Sequence, residues 1–143
     1  MNLLLAIKPQ YAEAILSGEK TAELRRIAPR LLDPGSTIFL VSRQHILGHV
    51  TLERIAHAPA ECLLRSKWEA SIASLAGLSP LAVHSYLDGA RQPCALHLRY
   101  PVRYDAPLPG PDYVIQSFAY TTQQPHITHP RLENFLLYLR THS

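Results

Sequence analysis

The sequence predicts an α+β domain in which a small, mostly antiparallel sheet closes into a barrel with helices over its ends. The apparent element order is β, α, β, β, β, α, α, β, with a further strand and helix toward the carboxy terminus. Two helices fall together between strands instead of alternating with them, which disfavours a doubly wound parallel sheet. No repeat, low-complexity tract or interior linker divides the 143 residues, and 47% hydrophobic side chains suffice for a single core without disulfides or metal.

Each element has a local reason. Residues 2–7 form a short apolar run that reads as a buried strand, and Pro9 suits the first turn of a helix through Tyr11, Ala12, Ile15 and Leu16. Gly18 closes that helix, and the chain re-enters as a strand over residues 21–27. Pro29, Pro34 and Gly35 mark a loop, after which residues 37–42 and 46–56 read as strands joined tightly through Arg43, Gln44 and His45. Residues 59–76 read as a helix whose buried face is Cys62, Leu63, Trp68, Ile72 and Leu75, stopped by Gly77. Ser79 and Pro80 open a second helix through Leu81, Val83, Tyr86 and Leu87 that ends near Gly89. Residues 94–104 read as a long strand, 105–112 as a Pro-rich loop, 113–122 as either a last strand or an irregular segment, and 130–141 as an amphipathic helix.

The formal charge of +3 permits an anionic partner but is too small for a protein that coats nucleic acid, so tight recognition has to come from a pocket. Cys62 and Cys94 are not closely spaced and are expected to be reduced and buried. The opening MNLLLAIKPQ lacks the basic region and long apolar run of a signal peptide, and no apolar run reaches membrane-spanning length. A cytoplasmic protein without a membrane role is expected.

The densest chemistry lies between Gly18 and Arg26, at a helix-to-strand junction. Because side chains alternate along a strand, Ala22 and Leu24 face the core while Glu23 and Arg25 share the other face. Lys20, in the turn before the strand, can reach the same side. A carboxylate beside Lys20 is expected to hold it protonated, which suits the pair to binding phosphate or polarising a carbonyl more than to taking a proton. A structural ion pair closing the barrel is the competing reading.

Gly18, Lys20, Glu23 and Arg25 match the G-x-K-x-x-E-x-R signature of the ASCH domain, and the chain resembles that family over roughly residues 2–122. Lys8-Pro9, the strand containing Gly48 and the Gln116-Ser117-Phe118 segment agree with it; residues 123–143 are then a carboxy-terminal extension packed on the same domain. The resemblance implies a PUA-like β-barrel with a cleft beside the signature that takes RNA or a nucleobase derivative. The family includes amidohydrolases of acylated cytidine, ribonucleases and proteins taken to bind RNA. The amidohydrolases carry a threonine where this sequence has Glu23, a departure that speaks against deacylation.

The expected function is therefore binding of RNA or of a nucleotide or nucleoside, through Lys20, Glu23, Arg25, Arg26, Arg43 and Ser117, with Arg30 as a further phosphate-tracking candidate. The alternative is a hydrolase on the same groove, a ribonuclease or an N4-acylcytidine amidohydrolase, with Lys20 and Glu23 catalytic. A protein partner stays open. Tyr11, Tyr120 and Trp68 are candidates for base stacking, although Trp68 fits a core position better. His126 and His129 have only two of the four ligands that a structural zinc needs, and His45, His49 and His57 suit rim or hydrogen-bonded positions, so neither metal nor cofactor is expected.

Overall fold

Leu3, Leu4 and Leu5 are all buried, which requires a strand covered on both faces, and the fold is arranged around that strand. The structure is a computed structural model that describes residues 1–125. Its elements are β1 (Asn2–Ala6), α1 (Pro9–Leu16), β2 (Ala22–Arg25), β3 (Thr37–Ser42), β4 (His45–His57), α2 (Cys62–Ala76), α3 (Pro80–Leu87), β5 (Cys94–Pro109) and β6 (Phe118–Thr121). They form one sheet in the order β2-β5-β4-β3-β1-β6, in which β1 runs parallel to β3 and the other pairings are antiparallel. The sheet is an α+β, mostly antiparallel curled one, as the sequence leads one to expect.

Alternation divides the core into three. Leu3 and Leu5 join Ile38, Leu40, Leu52 and Leu96 on the face that the sheet wraps around α1, where Ile15 and Leu16 meet them. Ala22, Leu24 and Ala95 face the other way, against Ile72, Ala73 and Ala76 of α2 and Val83 and Leu87 of α3. Leu4 and Phe39 begin a smaller third cluster with Ile46, Tyr104 and Leu108. β4 can bend over α1 because residue 48 is glycine: a Cβ there would lie 2.3 Å from the Val102 carbonyl oxygen and 2.7 Å from a Leu16 methyl.

Several expectations are corrected. β5 continues to Pro109 instead of giving way to a loop after 104, pairing Leu108 with Ile46 and Pro109 with His45; register shifts along β4 absorb the prolines. The open choice over 113–122 resolves as an irregular stretch followed by the short strand β6, which overturns neither reading. Arg43 and Gln44 alone make the β3–β4 turn, both with φ near +60° (50° and 65°), and His45 already pairs with Ser42. α2 does not bury Cys62, Leu63 or Leu75, which are exposed; its inner face is Ile72, Ala73, Ala76 and the carboxylate of Glu69. Small side chains let α2 approach its neighbours closely, and the Glu69 carboxylate accepts from Arg65 Nε at 3.1 Å and from His84 Nδ1 at 2.9 Å. Leu81 is likewise exposed. Cys62 and Cys94 are both free thiols, and burial pushes that of Cys94 up to about 11, leaving it unreactive.

The helix expected over 130–141, together with His126 and His129, lies outside the described residues. No helix among those described is long and apolar enough to cross a membrane. Nor do three His, Cys, Asp or Glu residues cluster there in a way that could hold a metal. His45 and His57 are exposed, whereas His49 is buried with its Nδ1 2.8 Å from the Tyr104 hydroxyl and Phe39 against its ring.

That burial has a pH consequence. It lowers the His49 pKa from 6.5 to about 4, so the unfolded chain takes up a proton that the folded chain refuses. The stability linked to His49 is fully present above pH 6.5 and is lost as the pH falls toward 4, by up to about 3 kcal/mol. Urea midpoints at pH 7 and 4.5 should therefore differ less in His49→Gln than in the wild type; equal acid sensitivity of the two proteins contradicts the assignment.

Candidate functional site

The site begins where α1 ends. Gly18 adopts φ +85°, and the turned chain sends the Lys20 N–H to the Ala14 carbonyl (2.9 Å) and the Thr21 N–H to the Leu75 carbonyl of α2 (2.9 Å). β2 then pairs with β5, Glu23 opposite Leu96 and Arg25 opposite Cys94, so both charged side chains point to the inner side while Ala22 and Leu24 pack on α2 and α3.

Glu23 is the centre of the resulting cluster. Lys20 Nζ lies 3.3 Å from Glu23 Oε1, and Arg25 Nη2 donates to Glu23 Oε2 at 2.7 Å. Lys20 also donates to the Ala76 carbonyl at the end of α2 (2.6 Å), and its ammonium lies 5.5 Å from the centre of the Tyr11 ring. Arg25 donates further to the Ala6 carbonyl at the end of β1 (2.9 Å) and to Ser117 Oγ just before β6 (3.3 Å). The three charged residues are only 4%, 8% and 8% exposed, in the order Lys20, Glu23, Arg25. Arg25 Nε is buried and has no hydrogen-bond partner in the chain.

Burial lowers the Lys20 pKa; the Glu23 carboxylate opposes this and the nearby Arg25 guanidinium adds to it. Glu23 acts in the expected direction, favouring the charged form of Lys20, while loss of hydration on burial is the larger effect and sets the direction of the shift. Glu23 itself has capacity left: an ionised carboxylate offers about four lone-pair positions, and two are used.

This cluster lies on the floor of a cleft of about 390 Å³. Lys8 and Tyr11 contribute one wall, and Leu78, Ala82 and Tyr86 the other. The last three recur every fourth residue, which puts them on one face at the start and along the length of α3. Their i, i+4 spacing is the one signal in the sequence that relates them, and it does not by itself distinguish a cleft wall from a core face. Tyr86 is 42% exposed, and burial of the remainder raises its hydroxyl pKa.

Other candidates fall elsewhere. Arg26 Nη1 donates to the Tyr86 and Asp88 carbonyls (2.5 and 3.0 Å) and so caps α3 from outside the cleft. Arg30 is exposed on the loop after β2, and Arg43 sits at the β3–β4 turn, beside a different hollow. The Tyr120 hydroxyl accepts from the Leu31 N–H (3.1 Å), and Trp68 packs half-buried on the α2–α3 core, so neither faces the cleft. Ser117 is present beside Arg25 with φ +71°.

Removing the central carboxylate should leave two buried cations facing each other. Glu23→Gln is expected to destabilise the fold by about 3–5 kcal/mol in urea denaturation, as for other broken buried pairs. Glu13→Gln, which breaks the exposed pair with Arg103, should leave the midpoint nearly unchanged. Similar midpoints for both variants would show that the triad does not hold the fold.

Comparison with known proteins agrees with this geometry. The family model for the ASCH domain matches residues 5–89, from β1 to the end of α3. The crystal structure of ASCH from Zymomonas mobilis is 21% identical with a TM-score of 0.69, over 98% of this chain and 94% of that one. A tyrosine-to-phenylalanine variant of the Zymomonas mobilis protein gives 23% and 0.68 over 85% and 91%, and a serine-to-alanine variant 22% and 0.68 over 96% and 95%. A search of curated proteins returned no match. The match of the family model over more than half of its length places this chain in the ASCH domain family, and its curled six-stranded sheet agrees with the fold of these structures.

Proposed function

We propose that the cleft binds RNA, holding one nucleotide unit over the Lys20–Glu23–Arg25 floor. The observation that carries this reading is the buried Arg25 guanidinium with its Nε unpartnered, in a cleft whose walls include Tyr11 and Tyr86. Arg25 and the third ammonium proton of Lys20 are donors for a base or phosphate oxygen, and the unused lone pairs of Glu23 accept from a base amine. Tyr11 and Tyr86 offer aromatic faces, which suit single-stranded RNA because its bases are free to unstack. Ser117 does not line the cleft; its Oγ accepts from Arg25 Nη1 and so helps to hold the guanidinium in place. Family membership supports the substrate class, and a net charge of +3 fits recognition in a pocket better than along an extended surface.

The lowered pKa of Lys20 favours a second reading, hydrolysis in the same cleft with Lys20 as the group that accepts a proton. Its test is release of acetate from N4-acetylcytidine, or cleavage of RNA, by wild type but not by folded Lys20→Met. No turnover at high enzyme concentration removes this reading.

For binding, Tyr86→Ala is the informative variant because it leaves the buried triad intact. Its affinity for a single-stranded RNA octamer should fall by the value of one stacked base, about 1–3 kcal/mol. Tyr100→Ala, an exposed tyrosine on β5 that does not line the cleft, should bind like the wild type. Equal affinities in all three proteins, or no binding of RNA by the wild type in fluorescence anisotropy, would overturn the proposal.

A further inference from the structure

We propose that the protein holds a phosphate group at a second site, a hollow at the amino-terminal end of α1 that adjoins the cleft across the Lys8–Pro9 junction. The hollow measures about 420 Å³ and is lined by Pro9, Ser42, Arg43, His45, Leu47 and Pro107. As the phosphate of an RNA strand, it rests on the RNA-binding reading of the cleft; as an anion site it stands on its own groups.

Ser42 lines this hollow, is 6% exposed, and has a buried hydroxyl with no hydrogen-bond partner. A buried hydroxyl left unpaired is unfavourable, and a phosphate oxygen in the hollow is an acceptor for it. Arg43 is exposed, and its guanidinium makes no hydrogen bond or ion pair among the described residues. The two-residue turn, with Arg43 and Gln44 both at positive φ, fixes its place beside Ser42. The His45 Nδ1–H donates to the Arg43 carbonyl at 3.0 Å, which holds the ring at the turn beside the hollow.

The helix end adds a field of the right sign. Lys8 is the N-cap of α1 and its side chain caps nothing, Pro9 occupies the first turn, and no acidic residue lies there to offset the positive end of the helix. No carboxylate lines the hollow. Leu47, Pro9 and Pro107 make an apolar wall, suited to the sugar next to the phosphate. Lys8 lines the cleft and its neighbour Pro9 lines the hollow, so a strand with one nucleotide in the cleft carries an adjoining phosphate over this junction.

The test uses the full chain and a uridine octamer, with affinity measured across a salt series. Arg43→Gln removes one phosphate contact, so it should flatten the slope of log affinity against log salt by about 0.7 and weaken binding about fivefold at 0.1 M salt. Ser42→Ala should also weaken octamer binding while its thermal midpoint stays at or above that of the wild type, because the hydroxyl contributes no bond to the fold. Tyr86→Ala should weaken binding with the slope unchanged. Octamer binding with an unaltered slope in Arg43→Gln overturns the second site while leaving the cleft reading intact. If the wild type does not bind the octamer, the cleft reading fails, and titration with inorganic phosphate decides the hollow: saturating NMR shifts of the Ser42, Arg43 and Gln10 amides support a free-phosphate site, and their absence overturns it.

Discussion

The carboxylate of Glu23, held between the buried charges of Lys20 and Arg25, is the interaction on which the shape of this domain depends. β2 is one edge of the sheet and β6 the other, and no backbone ladder joins them. Side chains close the gap instead. Arg25 reaches from β2 to the Ala6 carbonyl and Ser117, and Lys20 fastens the same junction to the last carbonyl of α2. The cleft lies beside this junction, between the end of β1 and the start of α1 on one side and α3 on the other, with Lys20, Glu23 and Arg25 beneath.

This closure is a costly one. Taking three charges out of water carries a penalty of several kcal/mol each before their mutual attraction is counted, and apolar residues of similar size can serve as well. Here the compensation is incomplete, with two cations for one carboxylate and Arg25 Nε without a partner. Under the proposed function, a ligand oxygen in the cleft would supply part of this missing compensation. α3 has further ties of its own, through Arg65 and His84 on the buried Glu69 and through Arg26 on the Tyr86 and Asp88 carbonyls, besides packing on Leu24 of β2.

The sequence is legible where local rules govern. Pro9 and Gly18 bound α1, Gly77 with φ +70° ends α2, and strand parity separates Leu24 from Glu23 and Arg25. It misleads where tertiary contacts override pattern. Leu63, Leu64 and Leu75 are apolar yet exposed, while charged Glu69 is buried, because Arg65 and His84 meet it from its own helix and the next. The Pro-rich stretch after Tyr104 resembles a loop, but β4 is long enough to pair with it through shifted register. The cleft floor could be read from a short signature; its far wall could not, since Leu78, Ala82 and Tyr86 become site residues only when α3 is placed against β2. The closing contacts of Arg25 with Ala6 and Ser117 span 19 and 92 residues, beyond any local pattern.

The unpartnered Nε–H of Arg25 offers the most direct measurement. Its NMR resonance, assigned by loss in Arg25→Lys, can be followed while a single-stranded RNA octamer is added. The expected result is a saturable shift with slowed hydrogen exchange, as the buried donor gains an acceptor in the cleft. RNA that binds and leaves this resonance and its exchange unchanged would contradict a role for the triad in recognition.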